Sequence, residues 1–427
     1  MIYNETIYNT GWNTKKLNQL GTFSRGKSTH RPRDDKRLFE DGKYPFIQTG
    51  EVKSSNLFIS NHKLNYNEFG LLQSKMWKKG TLCITIAANI AETGILSYPM
   101  CFPDSIVGFN AYDEEISEIF MYYIFQYIKS SIQRSASGSI QDNINIDYLQ
   151  ELYFKVPDRK AQIEIEKILS NIDLKINNNI QINNNLEELM RTLYQRWFIE
   201  FNFPNEDGKP YKSSDGKMVY SEEIKQEIPN NWCVETLYNN RLTSFVENGV
   251  EYFESKEYLA TGDVDGTDIV SSSIIDFETR ESRANMQPQE NTVWFAKMKN
   301  SIKHLYFGDY SKEMIDKYIL STGFCGLKCE GDYFEYINSF INSDYFEIHK
   351  DVLAHGATQE AVNNTDLKGI KLIIPSIDIL KKYHDEAYSA FEKIYYNKLE
   401  NQKLTSLRNF LLPMLMNGQI NVDDIKN

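Results

Sequence analysis

The stretches SGSIQDNINIDYLQELYFKVP at residues 137–157 and HGATQEAVNNTDLKGIKLIIP at residues 355–375 decide how this chain is organised. Gly138 aligns with Gly356, Gln141 with Gln359 and Pro157 with Pro375, each pair 218 residues apart. Upstream of each, FIQTGEV (Phe46–Val52) answers to YLATGDV (Tyr258–Val264) at an offset of 212, which needs only a small net insertion in between. Further upstream still, GWNTKKLNQL opens one half and NWCVETLYNN, from Asn231, opens the other. Several landmarks in one order indicate a two-fold repeat of roughly 200 residues per unit.

Each unit has the same internal order. Short strand-like runs come first, KYPFIQTG and GTLCITIAANI in one half, EYLATG and NTVWFAKM in the other, punctuated by Gly, Asn and Asp. After each proline the period changes. Ile165, Ile168, Ile172, Ile176, Leu186, Leu189, Leu193 and Trp197 recur mostly every three or four residues, as do Leu380, Tyr383, Ala387, Phe391, Ile394, Leu399, Leu404, Leu407 and Leu411. Proline just before a helix forces an extended approach and loses no internal amide bond. The spacing predicts one helix from about Lys160 to Phe201, roughly 60 Å, and a second from Ile377 to Leu412, roughly 54 Å. Stripes of that length need partners, so Ile165, Ile168, Ile172, Ile176, Leu189 and Leu193 are expected to face Leu380, Tyr383, Phe391, Leu404 and Leu407 across an antiparallel seam. The alternative is two ordinary helical hairpins broken at the Asn-rich KINNNIQINNN. Phe203–Trp232, rich in Gly, Pro, Ser and charge, reads as a linker that returns the chain to the second unit.

With 427 residues, 41% hydrophobic and 13% aromatic, the chain is long and apolar enough for two or three cores. Its net charge of −12 excludes a uniformly basic coat but not a local basic groove. The opening MIYNET lacks a basic flank and an apolar stretch, and no run approaches the ~20 apolar residues of a membrane span, so a cytoplasmic location is expected. Five cysteines form no disulfide framework, and Cys325 with Cys329 lack the further ligands of a zinc site.

No catalytic constellation is present. The nucleophile elbow, the phosphate-binding loop and the dinucleotide fingerprint are all missing, as is the Asn/Asp-Pro-Pro-aromatic stretch of amino-group methyltransferases. GDVDGTD has Ile274 where a calcium loop from Asp263 needs glutamate, and ESK at Glu254–Lys256 matches too short a pattern to indicate a nuclease. Basic residues do concentrate early: eight Lys or Arg stand between Lys15 and Arg37. The loop SRGKSTHRPR offers Arg25, Lys27, Arg31 and Arg33 for phosphates or guanine edges, with Gln48, Thr49 and Glu51 following on an expected strand edge. The same stretch also reads as a solvated loop. Arg134 and Gln141 in QRSASGSIQ, and Lys297, Lys299 and Lys303 in the second half, complete the DNA-contact candidates.

The chain resembles the specificity subunits of type I restriction–modification enzymes. The resemblance rests on YPFIQTGEV, GTLCITIAANIAETGIL, SGSIQDNI before LYFKVP, LEELMRTLYQRWFIEF, IPNNW, HGATQEAVNNTDLKGIKLIIPS and the terminal LTSLRNFLLPMLMNGQI, and it covers almost the whole chain. It implies a mixed α/β fold: two similar target-recognition domains separated by two long antiparallel helices, a coiled-coil-like spacer with two-fold pseudo-repeat. Mapped onto this chain, the domains run over 1–158 and 231–375, the helices over 159–202 and 376–427 with its tail, and the linker over 203–230. It further implies a non-catalytic subunit that reads split double-stranded DNA. Two methyltransferase subunits would carry S-adenosylmethionine and modify adenine at N6; restriction/translocase subunits would use ATP and Mg2+. This chain would hold no cofactor and no metal. A repeat-built scaffold for protein or RNA is the alternative, separable by a neighbouring reading frame for an adenine methyltransferase. NTVWFAKMKN departs from GTLCITIAAN, and SSIIDFETRESRANMQPQ has no obvious counterpart in the first half, which suggests two unlike half-sites.

Overall fold

The strand that leads into each repeated proline pairs back with the strand that opens its unit. Asn13–Lys16 runs antiparallel to Tyr153–Val156 in one half, and Cys233–Thr236 runs antiparallel to Lys371–Ile374 in the other. These pairings belong to a computed structural model that describes residues 4–137 and 144–420. The chain divides into a first unit, Met1–Ile180 with Leu399–Asn427, and a second, Gln181–Lys398.

In the first unit one sheet has the order Gly21–Arg25, Ile106–Ala111, Leu82–Thr85, Thr93–Leu96, Phe58–Ile59. Another has the order Leu64–Tyr66, Tyr44–Phe46, Met100–Cys101, Met76–Trp77. The second unit repeats both. Thr243–Phe245, Phe324–Cys329, Thr292–Ala296 and His304–Phe307 form one sheet; Ser273–Ile275, Lys256–Leu259, Tyr318–Ser321 and Ala284–Met286 form the other. Even the parallel pair recurs, Phe46 opposite Cys101 and Tyr258 opposite Ile319. The strand Phe58–Ile59 is an addition of the first unit. SSIIDFETRESRANMQPQ therefore does have counterparts, since its strands Ser273–Ile275 and Ala284–Met286 take the places of Leu64–Tyr66 and Met76–Trp77. Their side chains differ enough to hide this in the sequence.

The repeated Thr-Gly-acid motif has a local cause. The strand Tyr44–Phe46 stops and a short helix, Thr49–Ser54, begins; the Glu51 carboxylate accepts the Gln48 N–H at 3.0 Å. In the second unit a 3-10 turn, Thr261–Asp263, follows Lys256–Leu259, and Asp263 accepts the Ala260 N–H at 2.8 Å. An acid three residues on satisfies a donor that the first turn leaves without a partner. Thr49 and Glu51 thus lie in a helical turn rather than on the expected strand edge.

A helix, Glu118–Ser137, packs on the larger sheet of the first unit and buries Phe120, Met121, Ile124, Phe125, Ile128 and Ile132. Such side chains contribute about 1.5–3 kcal/mol each when fully buried. In the second unit the equivalent stretch is broken into Phe334–Ile341 and Asp344–Leu353, and Ser343 caps the second piece by accepting the Phe346 N–H.

The first long helix runs unbroken over Arg159–Tyr194, straight through KINNNIQINNN, and continues as a π-turn over Gln195–Ile199. The second covers Ile377–Met416. Within the first unit Asp173 pairs with Arg408, and Asn179 bonds Glu400 and Asn401. Within the second, Asn397 donates to Asn183 at 2.7 Å and the Trp197 ring lies 5.7 Å from that of Tyr383. Rising numbers on one helix meet falling numbers on the other, so the helices are antiparallel.

The seam differs in composition from the expected apolar stripe. Ile165, Ile172, Ile176, Leu380, Tyr383 and Phe391 are buried, and Ile168, Leu193 and Leu404 are partly buried. Leu189 and Leu407, however, are 55% and 46% exposed. Met190 is buried where Leu189 was expected, and the inner face also carries the amide pairs Asn179–Asn401 and Asn183–Asn397. Leu380, Tyr383 and Phe391 also share a core with Ile337 and Phe340, so part of the stripe serves helix-to-domain packing. The segment Phe203–Trp232 is ordered: Met218–Ser221 and Gln226–Pro229 form a hairpin, and the Phe203 ring stacks on Trp232 at 5.0 Å. No helix among the described residues is long and apolar enough to cross a membrane.

Candidate nucleic-acid interface

The basic loop of the first unit leaves its sheet at Arg25. Gly26 is squeezed against Phe102 and Pro103, where a Cβ would sit 2.3 Å from the Pro103 carbonyl oxygen, so only glycine lets the chain turn there. The loop is then tied down. Gln73 Oε1 accepts the Thr29 and His30 N–H groups at 2.7 and 3.1 Å, and Ser74 donates to the Lys27 carbonyl at 2.8 Å. Asp35 holds His30 and Arg37, and its carboxyl lies well below the usual carboxylate range because of the Arg37 bond first and His30 second.

Among the candidates, Arg25, Lys27, Arg31 and Arg33 are all exposed. Arg31 turns one nitrogen onto the Ser28 and His30 carbonyls, and Arg33 pairs with Asp104 at 2.6 Å. The ties to Gln73 and Ser74 bring this loop beside Lys75, Lys78 and Lys79, three exposed lysines that the sequence reading did not select. Lys75 Nζ stands 3.7 Å from the centre of the Trp77 ring. A concavity of about 390 Å³ lies here, lined by Phe23, Ser24, Lys75, Trp77, Lys78 and Asn110 among others. Cations over an aromatic floor with hydroxyl and amide groups alongside suit a sugar-phosphate backbone.

Gln48 and Thr49 lie on the strand-to-helix turn, two strands from Met76–Trp77, with the Glu51 carboxylate engaged by the turn itself. Nothing stands within 4 Å of a Cβ added at Gly50 or at its repeat partner Gly262. The fold does not require these glycines for space, and the surface before each is open to a close approach. Arg134 is exposed late in its helix and bonds the Ser130 carbonyl, while Gln141, with Gly138, lies outside the described residues.

The second unit gathers its candidates on the hairpin between Thr292–Ala296 and His304–Phe307. Lys299 pairs with Glu360 at 2.9 Å, and Lys303 donates to the Thr261 carbonyl at 2.6 Å, joining the hairpin to the second Thr-Gly motif. Lys297 is half-buried, its carbonyl accepting the Val362 N–H. Beneath the hairpin is a buried polar cluster. Lys350, fully buried, donates to Glu347 at 2.7 Å and to the Ser301 carbonyl at 3.0 Å. His304 lies 2.9 Å from Glu347, and Asp351 accepts the Asn300 N–H at 3.0 Å. A loop held at so many points presents its side chains pre-organised.

This cluster has a pH signature. Burial pushes the Glu347 carboxyl up, but the bonds from His304 and Lys350 outweigh it and hold it below its ordinary value. A depressed folded-state pKa contributes stability that is complete above the unfolded value of about 4.3 and lost as pH falls through the folded one. Glu347→Gln is therefore expected to melt lower than the parent at pH 7, with the gap closing below about pH 4. Thermal melts across pH check this; a gap of constant size would show that the carboxylate's charge contributes nothing.

The comparisons with known proteins fit this arrangement. The family model for the type I restriction modification DNA specificity domain matches residues 9–188, and the second unit repeats the strand order of that region. The type I restriction enzyme MjaIX specificity subunit of Methanocaldococcus jannaschii is 24% identical over 426 residues, covering 97% of this chain and 94% of the relative. The first unit thus matches the DNA specificity domain model, and nearly the whole chain is similar to type I specificity subunits. The HindI specificity subunit of Haemophilus influenzae is likewise 24% identical, over 91% of this chain and 97% of its own. In fold, the chain is similar to the crystal structure of the S subunit of a type-I restriction-modification system from M. genitalium. The TM-score is 0.60 at 16% identity, over 97% of this chain and 99% of that one.

Proposed function

We propose that this chain is a specificity subunit that reads a split double-stranded DNA target, one half-site per unit, and brings an adenine-N6 methyltransferase to it. The observation that carries this reading is the duplication: two units with the same strand order, each with cations or open glycine turns on its loops, in a chain similar to type I specificity subunits over nearly its whole length. Two linked contacts make a half-site that is weak alone useful, through effective concentration. The antiparallel long helices act as the spacer. Residues 1–158 and 231–375 serve as the two target-recognition domains.

Chemistry belongs to the partners. Two modification subunits carry S-adenosylmethionine, and a restriction/translocase subunit uses ATP and Mg2+; the recognition subunit directs them and catalyses neither reaction. The test is to express the chain with and without an adenine methyltransferase subunit and map methylated bases in the treated DNA. The purified chain alone is expected to leave DNA unmodified, and the assembly to methylate adenine within a motif of two blocks. Methylation by the rigorously purified single chain, or a preference of the assembly for cytosine, would overturn the division of labour.

A further inference from the structure

Although the two units share a topology, their charges are distributed very differently. Residues 1–158 hold 17 Lys or Arg against 17 Asp or Glu, a net charge of zero, while residues 231–375 hold 13 against 23, a net of −10. The second recognition region thus carries most of the chain's −12.

The contrast is sharpest at equivalent loops. In the first unit the loop leaving the edge strand Gly21–Arg25 carries Lys27, Arg31 and Arg33, and packs beside Lys75, Lys78 and Lys79. In the second unit the loop leaving Thr243–Phe245 packs in the same way, Gly249 N–H donating to the Asn285 carbonyl at 2.8 Å. Over residues 246–255, however, that loop has Glu247, Glu251 and Glu254 and no Lys or Arg. Arg283, before Ala284–Met286, stands where the first unit has Lys75, but no Lys or Arg follows that strand as Lys78 and Lys79 do in the first unit. The second unit's other candidates are on its hairpin, and there Lys299 and Lys303 are committed to Glu360 and the Thr261 carbonyl. A lysine already paired within the protein releases fewer DNA counterions when it meets a phosphate.

We infer that the two units divide the binding work: the first unit grips the phosphate backbone through Arg25, Lys27, Lys75, Lys78 and Lys79, while Arg31 and Arg33 are engaged within the loop, and the acidic second unit reads its half-site with little backbone attraction. This rests on the DNA-reading role proposed above. The physical consequence is asymmetric. Sequence-independent, salt-sensitive binding resides in the first unit, whereas repulsion from phosphates keeps the second unit off DNA unless its base contacts are correct.

The experiment measures the affinity of the chain assembled with its methyltransferase subunits across a salt series. Duplexes carry both half-sites, either one scrambled, or both scrambled. Two triple variants are compared with the parent, Lys75→Gln/Lys78→Gln/Lys79→Gln and Lys297→Gln/Lys299→Gln/Lys303→Gln. Each phosphate contact contributes a slope of about −0.9 in the plot of log affinity against log salt. The first variant is expected to lose up to about 2.7 units of slope, about 0.9 for each of its three lysines, and to weaken on every duplex alike, and the second to lose less than about one. Equal losses, or a larger loss for the second variant, would overturn the division of work even if the intact target is still preferred. A parent assembly that prefers the intact target no more than the doubly scrambled duplex would overturn the DNA-reading role and the division with it.

Discussion

Replacing Arg408 with alanine is expected to destabilise the first unit by about 3 kcal/mol, the lower end of what breaking a buried ion pair costs. Asp173, whose side chain is fully buried, accepts from Arg408 at 2.7 Å and from the Tyr123 hydroxyl at 2.7 Å. Burial, with the charge of Asp173 next, pushes the Tyr123 hydroxyl far up, so it remains a donor. Arg408 also reaches Asn56 at 3.3 Å, just past the short helix Thr49–Ser54. One cation therefore links both long helices, the helix Glu118–Ser137 and a loop next to the Thr-Gly turn. Its removal leaves a carboxylate in the interior with the tyrosine hydroxyl as its remaining strong donor. The double variant Asp173→Leu/Arg408→Met removes both charges and is expected to recover much of the loss, since a buried pair gains little over well-packed apolar residues. Denaturant unfolding followed by amide exchange in Glu118–Ser137 separates the first unit's transition from the rest. A loss below about 1 kcal/mol for Arg408→Ala would place the pair with ordinary surface bridges.

The duplication was legible because its landmarks occupy positions that the fold constrains. Pro157 and Pro375 follow the strands that close each unit, and Glu51 and Asp263 satisfy the same backbone donor. The helices were legible from their three-to-four spacing. What the periodicity concealed was the seam. Asn179, Asn183, Asn397 and Asn401 look like weak points in a heptad, yet in the structure they pair with each other and with Glu400. Paired amides lower the cost of burying polar groups and favour one register over its neighbours. Leu189 and Leu407 look equivalent to the buried leucines in sequence, but the chain alone does not reveal which faces are covered by a domain.

The candidate interface was less legible, because charge acts through space. Arg33 and Asp104 are 71 residues apart in sequence, and Lys299 and Glu360 are 61 apart. Lys75, Lys78 and Lys79 join the basic loop only through the bonds of Gln73 and Ser74. No local pattern in KMWKKG announces that neighbour.

If the function proposed above holds, the helix pair sets the distance between the half-sites. The boundary between the units crosses both long helices, between Ile180 and Gln181 on one and between Lys398 and Leu399 on the other. Inserting about seven residues, close to two whole turns, at both places would lengthen the pair by roughly 10 Å while keeping each stripe nearly in phase. Lengthening one helix alone would slip the seam instead. At ~3.4 Å per base pair the added length corresponds to about three base pairs. The decisive measurement is base-resolution mapping of the adenines methylated by the assembly containing this variant, beside the parent. Both blocks of the motif are expected to persist, and the unspecified interval between them to grow by about three base pairs. An active assembly that keeps both blocks at the parental interval would show that the helices are not the ruler.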